Sequence, residues 1–131
     1  MRAFESKADV EPSGAATVAD SIAVGTPRNW RRALAWVRAS RGTMLAVSDD
    51  AILDAMRTTA RLGAVFGEPA GAAAVAGVRA AVSAGIVPAG AAVLAVITGN
   101  GLKDIRAAMS AAGQPHEVRP DLSAVADIIE R

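Results

Sequence analysis

A chain of 131 residues has room for one domain and one core. Fourteen basic residues against thirteen acidic ones give a formal charge of +1, scattered along the chain, which provides no basic face for nucleic acid; the absence of cysteine excludes disulfides, thiolate metal sites and cysteine nucleophiles. Hydrophobic residues make up 52% but aromatics only 3%, so alanine and small aliphatic side chains must fill the core, burying less area per residue and leaving a marginal fold.

Residues 1–15 are polar, with Pro12 and Gly14, and read as a loop or extended lead-in. Arg2, Glu5 and Lys7 leave no apolar stretch for a signal peptide. Val18 and Ile22 support a short helix over 17–24, stopped by Gly25 and Pro27. Asn29 is placed to cap the next helix, whose Trp30, Leu34 and Val37 share a face before Gly42 ends it; Arg28, Arg31 and Arg32 read as its solvated side. Residues 43–47 form an apolar run suited to a buried strand.

Ser48 is then an N-cap, and Asp49 and Asp50 favour the positive end of the helix dipole. Ile52, Leu53, Met56, Ala60 and Leu62 make the apolar stripe of that helix, and Gly63 closes it. Residues 64–66 read as a short strand or a turn. Pro69 fits the first position of a helix running through Arg79 to about Ala84, with Gly85 as its stop.

Residues 80–102 carry no charge, which raises the question of a membrane span; Pro88, several glycines and the alanine content argue against it, and a soluble cytoplasmic protein is the expectation. After Pro88, residues 91–97 read as a fully buried strand. A helix over 103–112, a break at Gly113 and Pro115, a short strand at 117–118 and a final helix capped by Asp121 complete the chain. Strands alternating with helices give an α/β class with at least partly parallel pairing, in one domain over 1–131.

The residues that carry chemistry lie where the buried strand ends. A parallel strand delivers its last side chains to the edge of the sheet where α/β proteins place ligands. There Thr98 offers a hydroxyl, and Gly99 and Gly101 remove side-chain bulk so that a flat ligand can approach the backbone. The plain alternative is a tight strand-to-helix turn capped by its threonine. A dinucleotide fingerprint is incomplete, because Gly99-x-Gly101 is followed by Asp104 rather than a third glycine, and a carboxylate there repels a pyrophosphate; no Walker pattern is present. Glu68, just before Pro69, suits either the helix dipole or a cleft. Lys7 and Lys103 are the only lysines and both read as solvated; His116 has no companion ligands for a metal.

Four strings stand in order: 17–30, from Thr17-Val18-Ala19-Asp20-Ser21 to Asn29-Trp30; Val47-Ser48-Asp49-Asp50-Ala51-Ile52; Phe66-Gly67-Glu68-Pro69-Ala70-Gly71-Ala72-Ala73; and Thr98-Gly99-Asn100-Gly101-Leu102-Lys103-Asp104. In that order and spacing the chain resembles the C-terminal part of the threonine synthases, pyridoxal-phosphate (PLP) enzymes of the tryptophan-synthase-β-like fold (fold type II). The third string is shared with related PLP lyases such as threonine dehydratase.

The resemblance implies part of a fold type II large domain, a mostly parallel sheet flanked by helices. It implies that Thr98 partners the pyridine nitrogen of PLP, with Gly99, Asn100 and Glu68 beside the cofactor. It implies a part in converting O-phospho-L-homoserine and water into L-threonine and phosphate. The family's Schiff-base lysine and its phosphate-cradling glycine loop match nothing here; Glu5-Ser6-Lys7 stands in the wrong place relative to the later strings. The expectation is therefore a split-gene subunit, a truncation or an expressed fragment that is inactive alone and binds PLP weakly or not at all. Its expected partner is an N-terminal half or a second copy. The alternatives are a non-catalytic partner-binding subunit, a remnant of a related PLP lyase, or a small phosphate- or nucleotide-binding domain.

Overall fold

The computed structural model describes residues 1–129. Among these described residues six α-helices succeed one another: α1 Arg2–Ser6, α2 Trp30–Ala39, α3 Asp49–Gly63, α4 Pro69–Ser83, α5 Ile105–Ala112 and α6 Leu122–Ile129. Single 3-10 turns stand at Asp20–Ile22 and Gly101–Lys103.

The helix boundaries obey local chemistry. Ser48 Oγ accepts from the Ala51 N–H at 3.2 Å and starts α3. Pro69 occupies the first turn of α4, where a missing N–H costs nothing, and Gly85 takes a left-handed conformation at its end. Asp104 Oδ1 accepts from the Ala107 N–H at 2.9 Å, so α5 begins at Ile105, after a 3-10 turn, rather than at Lys103. Asp121 caps α6, accepting from the Ala124 N–H at 2.9 Å. Asn29 does stand before α2, but its side chain accepts no capping bond. The lead-in holds the short helix α1, and the helix expected over 17–24 contracts to one 3-10 turn.

The core is built on small side chains. Ile52, Ala55 and Met56 of α3 pack on Ala72 and Ala76 of α4, Ala111 of α5 and Ala19. Alanine on both facing helices lets the backbones come close, and Met56, fully buried, fills the space between them. Burying that methionine contributes about 1.5–3 kcal/mol. Leu62 departs from the expected stripe: it sits in the last turn of α3, which outruns the packed face, and is 85% exposed. The left-handed residue ending α3 is Ala64, not Gly63.

No strand forms among the described residues, against the expectation at 43–47, 64–66, 91–97 and 117–118. A strand exists by virtue of a neighbour to pair with, and no backbone group of residues 43–47 or 92–98 joins a backbone hydrogen bond among the described residues. The run expected to be fully buried instead exposes Val93, Leu94 and Val96, with Leu94 at 88%. The single bridge among the described residues is antiparallel, between Gly67 and Asn100. The accessible surface is 9749 Å², against about 6,400 Å² for a compact monomer of this mass from the usual scaling. No helix among the described residues is long and apolar enough to cross a membrane, and α4 ends inside the uncharged stretch.

Candidate functional site

The bridge at Gly67 and Asn100 ties together the two strings of greatest chemical interest. The Glu68 N–H donates to the Gly99 carbonyl at 2.8 Å, and the Gly101 N–H donates to the Phe66 carbonyl at 2.8 Å. These two bonds hold residues 66–68, at the entrance to α4, against residues 99–101, at the approach to α5.

Four glycines make this approach close enough. A Cβ on Gly67 would strike the Ile97 methyl, and one on Gly71 would lie 3.0 Å from the same methyl and 3.2 Å from the Thr98 nitrogen. On Gly101 it would lie 2.6 Å from the Phe66 ring, and on Gly99 it would enter the Glu68 side chain. None of the four has a positive φ. Their role is space, not backbone freedom. On the side where a Cβ would stand, the room that Gly99 and Gly101 leave is filled by Glu68 and Phe66 of the same chain.

Glu68 is 5% exposed and is the buried charged residue among those described. Its Oε2 accepts from the Ser21 hydroxyl at 3.3 Å and faces the Lys103 ammonium at 3.5 Å. Oε1 lies over Gly99 and accepts no hydrogen bond from the described residues. Beside this group is a cavity of about 520 Å³, lined by Thr17, Asp20, Ser21, Glu68, Lys103 and Arg106 among others. Its floor is tied to α3, because Asp49 accepts from the Thr17 hydroxyl at 2.5 Å and from the Val18 N–H at 3.1 Å.

The sequence-derived site residues come together in space but differ in availability. Thr98 is exposed, and its hydroxyl has no hydrogen-bond partner among the described residues. Asn100 caps the 3-10 turn, its Oδ1 accepting from the Leu102 N–H at 2.9 Å. Lys7 is exposed at the left-handed end of α1, and Lys103 is 66% exposed, so neither occupies the desolvated pocket that a Schiff-base amine needs. Sequence reasoning misses Ser21 and Lys103 as partners of Glu68; no spacing announces that residues 47 and 35 positions from Glu68 meet on one carboxylate.

Comparison with known proteins matches residues 1–99 to the profile of a family described as pyridoxal-phosphate dependent enzyme. The chain belongs to that family. Curated relatives are named threonine synthase: one from Synechocystis sp. is 45% identical over 112 residues, covering 84% of this chain and 29% of the relative. One from Mycobacterium tuberculosis is 44% identical over 88 residues, covering 67% and 24%. One from Methanocaldococcus jannaschii is 33% identical over 132 aligned positions, covering 99% and 33%. The chain thus spans about a quarter to a third of the length of these relatives. Family membership implies pyridoxal phosphate as the cofactor of the full enzyme and a fold of type II.

Proposed function

We propose that this chain is the C-terminal portion of a cytoplasmic, PLP-dependent threonine synthase, forming one wall of its site and inactive without the portion that carries the Schiff-base lysine. The complete enzyme would convert O-phospho-L-homoserine and water into L-threonine and phosphate. One observation carries the reading: the two family strings are clasped backbone to backbone at Glu68–Gly99 and Phe66–Gly101, with the Thr98 hydroxyl left free beside them.

The residues present fit one edge of the cofactor. When bound, PLP withdraws electrons from a carbanion on its substrate. Thr98 would face the pyridine nitrogen with a neutral hydroxyl, orienting the ring without placing a charge on it. Gly99 and Asn100 would shape the wall behind Thr98, and Glu68 would close it from beneath. Lys7 and Lys103, both exposed, fit no covalent role.

The missing neighbour also has support. The surface exceeds the compact-monomer value by about half, and Val93, Leu94 and Val96 lie exposed in a run with unpaired backbone. An N-terminal half completing the sheet of the type II fold would cover it; a second copy is the other occupant. Exposed apolar area of this kind equally supports a partner-binding subunit without catalysis.

The test is PLP titration of the purified chain, with borohydride reduction and mass mapping, then phosphate release from O-phospho-L-homoserine with and without a lysine-bearing N-terminal polypeptide. The expectation is weak, unsaturable labelling, no release by the chain alone and release on complementation. Saturable labelling of Lys7 or Lys103, or turnover that survives replacement of both, refutes the reading. Tight docking with no restored turnover would favour the partner-binding subunit.

A further inference from the structure

We propose that Lys103 is a positioning residue: its ammonium anchors the buried Glu68 carboxylate, which bears on Gly99 and so sets the turn that carries Thr98. A carboxylate withdrawn from water must be compensated by donors or opposite charge. Among the described residues Glu68 finds partners on one oxygen only, the Ser21 hydroxyl at 3.3 Å and the Lys103 ammonium at 3.5 Å. Asp20 and Asp104 line the same cavity and oppose its charge, and of the two cations there, Lys103 and Arg106, Lys103 is the one within ion-pairing distance.

The geometry turns that pair into a closed loop. From Gly99, whose carbonyl accepts from the Glu68 N–H, the chain makes one 3-10 turn and returns at Lys103 to the Glu68 side chain. Glu68 is therefore held at both its backbone and its carboxylate by one short segment, residues 99–103. Its other oxygen, Oε1, rests against Gly99. Pulling the carboxylate from Lys103 frees it to swing off Gly99, and the Thr98–Asn100 turn loses its floor. Lys103 acts through Glu68, and the importance of this turn for the cofactor rests on the function proposed above.

The test is amide hydrogen exchange by NMR on the full chain, without PLP, for K103M, K103R, E68Q and E68Q/K103M. Replacing Lys103 by Met should speed exchange at the Glu68 and Gly101 amides about fivefold, the size of effect a half-exposed ion pair carries. The Met56 amide in α3 should stay unchanged, and Arg at 103 should restore protection. In the E68Q background K103M should add nothing. Salt near 1 M should speed these two amides in the parent chain and not in K103M. No change, an even change across all amides, failure of Arg to restore, or additivity in the double variant would overturn the proposal. Because no cofactor is present, failure here leaves the PLP reading standing, and failed PLP binding leaves this result interpretable.

Discussion

Gly99→Ala tests the interlock of the two strings directly. The added methyl would enter the Glu68 side chain at Oε1, Cδ and Cγ, whereas carbon atoms pack at about 3.5–4.0 Å. The carboxylate must therefore move by roughly 1 Å or more. Its hydrogen bond from Ser21 at 3.3 Å and its ion pair with Lys103 at 3.5 Å are already long and have no slack to stretch further. Losing hydrogen bonds on a buried charge costs about 1.5–3 kcal/mol. Against this, Ala stiffens the unfolded chain by about 0.4–1 kcal/mol, a gain available because Gly99 has no positive φ. The net cost is about 1–2 kcal/mol. Urea denaturation monitored by far-UV circular dichroism should show the midpoint falling by about 1 M. The decisive arm is the Glu68→Ala background, where Cγ and everything beyond it are gone. There Gly99→Ala should cost nothing, or stabilise by about 0.5 kcal/mol. Equal destabilisation in both backgrounds would refute the reasoning, and would mean that the backbone of 99 and not its contact with Glu68 sets the requirement for glycine.

Other perturbations separate the remaining contacts. Asp49→Ala removes the acceptor for Thr17 and Val18 and should cost about 1–2 kcal/mol in the same assay, while Asp50→Ala, on an exposed neighbour, should stay within about 0.5 kcal/mol. Ala64→Gly should stabilise, by up to about 1 kcal/mol, because Ala64 holds φ 53 at the end of α3; Gly85→Ala, at φ 69, should destabilise by a similar amount. The Arg79 hydrogen bond, aided by the charges of Arg79 and Arg57 and opposed by partial burial, holds the Asp54 carboxyl below 3.8. A folded-state value below the unfolded one gives stability that is present above pH 3.8 and is lost as pH falls through the folded value. Asp54→Asn should therefore flatten the acid limb of a stability-against-pH curve below pH 3.8, and an unchanged limb would assign it to other carboxylates.

The helices are legible in the sequence because their signals are local. Ser48 with its two aspartates, Pro69 at a helix start and Gly85 at its end each act through bonds or sterics within a turn of the chain. The strands are not, because an apolar run such as 91–97 specifies only half of a ladder, and its partner is absent from the described residues. At the site, Thr98, Gly99 and Glu68 are legible as residues, yet the purpose of Gly99 is not. A bare glycine suggests open space for a ligand; the structure fills that space with Glu68. Lys103 escapes for the opposite reason: two-thirds of its side chain is exposed, and its tie to Glu68 depends on a turn whose geometry no local pattern fixes.

That turn keeps its shape without a sheet, and the reason is physical. In a laddered α/β fold the neighbouring strands fix where a strand ends, and its terminal side chains are placed by those bonds. Residues 92–98 have no such bonds among the described residues, so the position of Thr98 must be set by the packing of 97–98 on residues 67–71 and by the residues just C-terminal to it with their partners at 66–68. Those residues form a clasp: two backbone bonds between 66–68 and 99–101, four glycines that permit it, and a charged pair from Glu68 to Lys103 that closes it. The clasp is anchored in turn on α4, which begins one residue after Glu68 and packs by alanines on α3. A site wall built this way is set by helix packing from one side only. It holds the Thr98 turn in place while the apolar run leading into it stays exposed, and the two can be disrupted separately: substitutions at Gly99, Glu68 or Lys103 should loosen the turn and lower the stability of the chain, whereas a charge placed at Leu94 should leave both unchanged and affect only a chain that docks on that run.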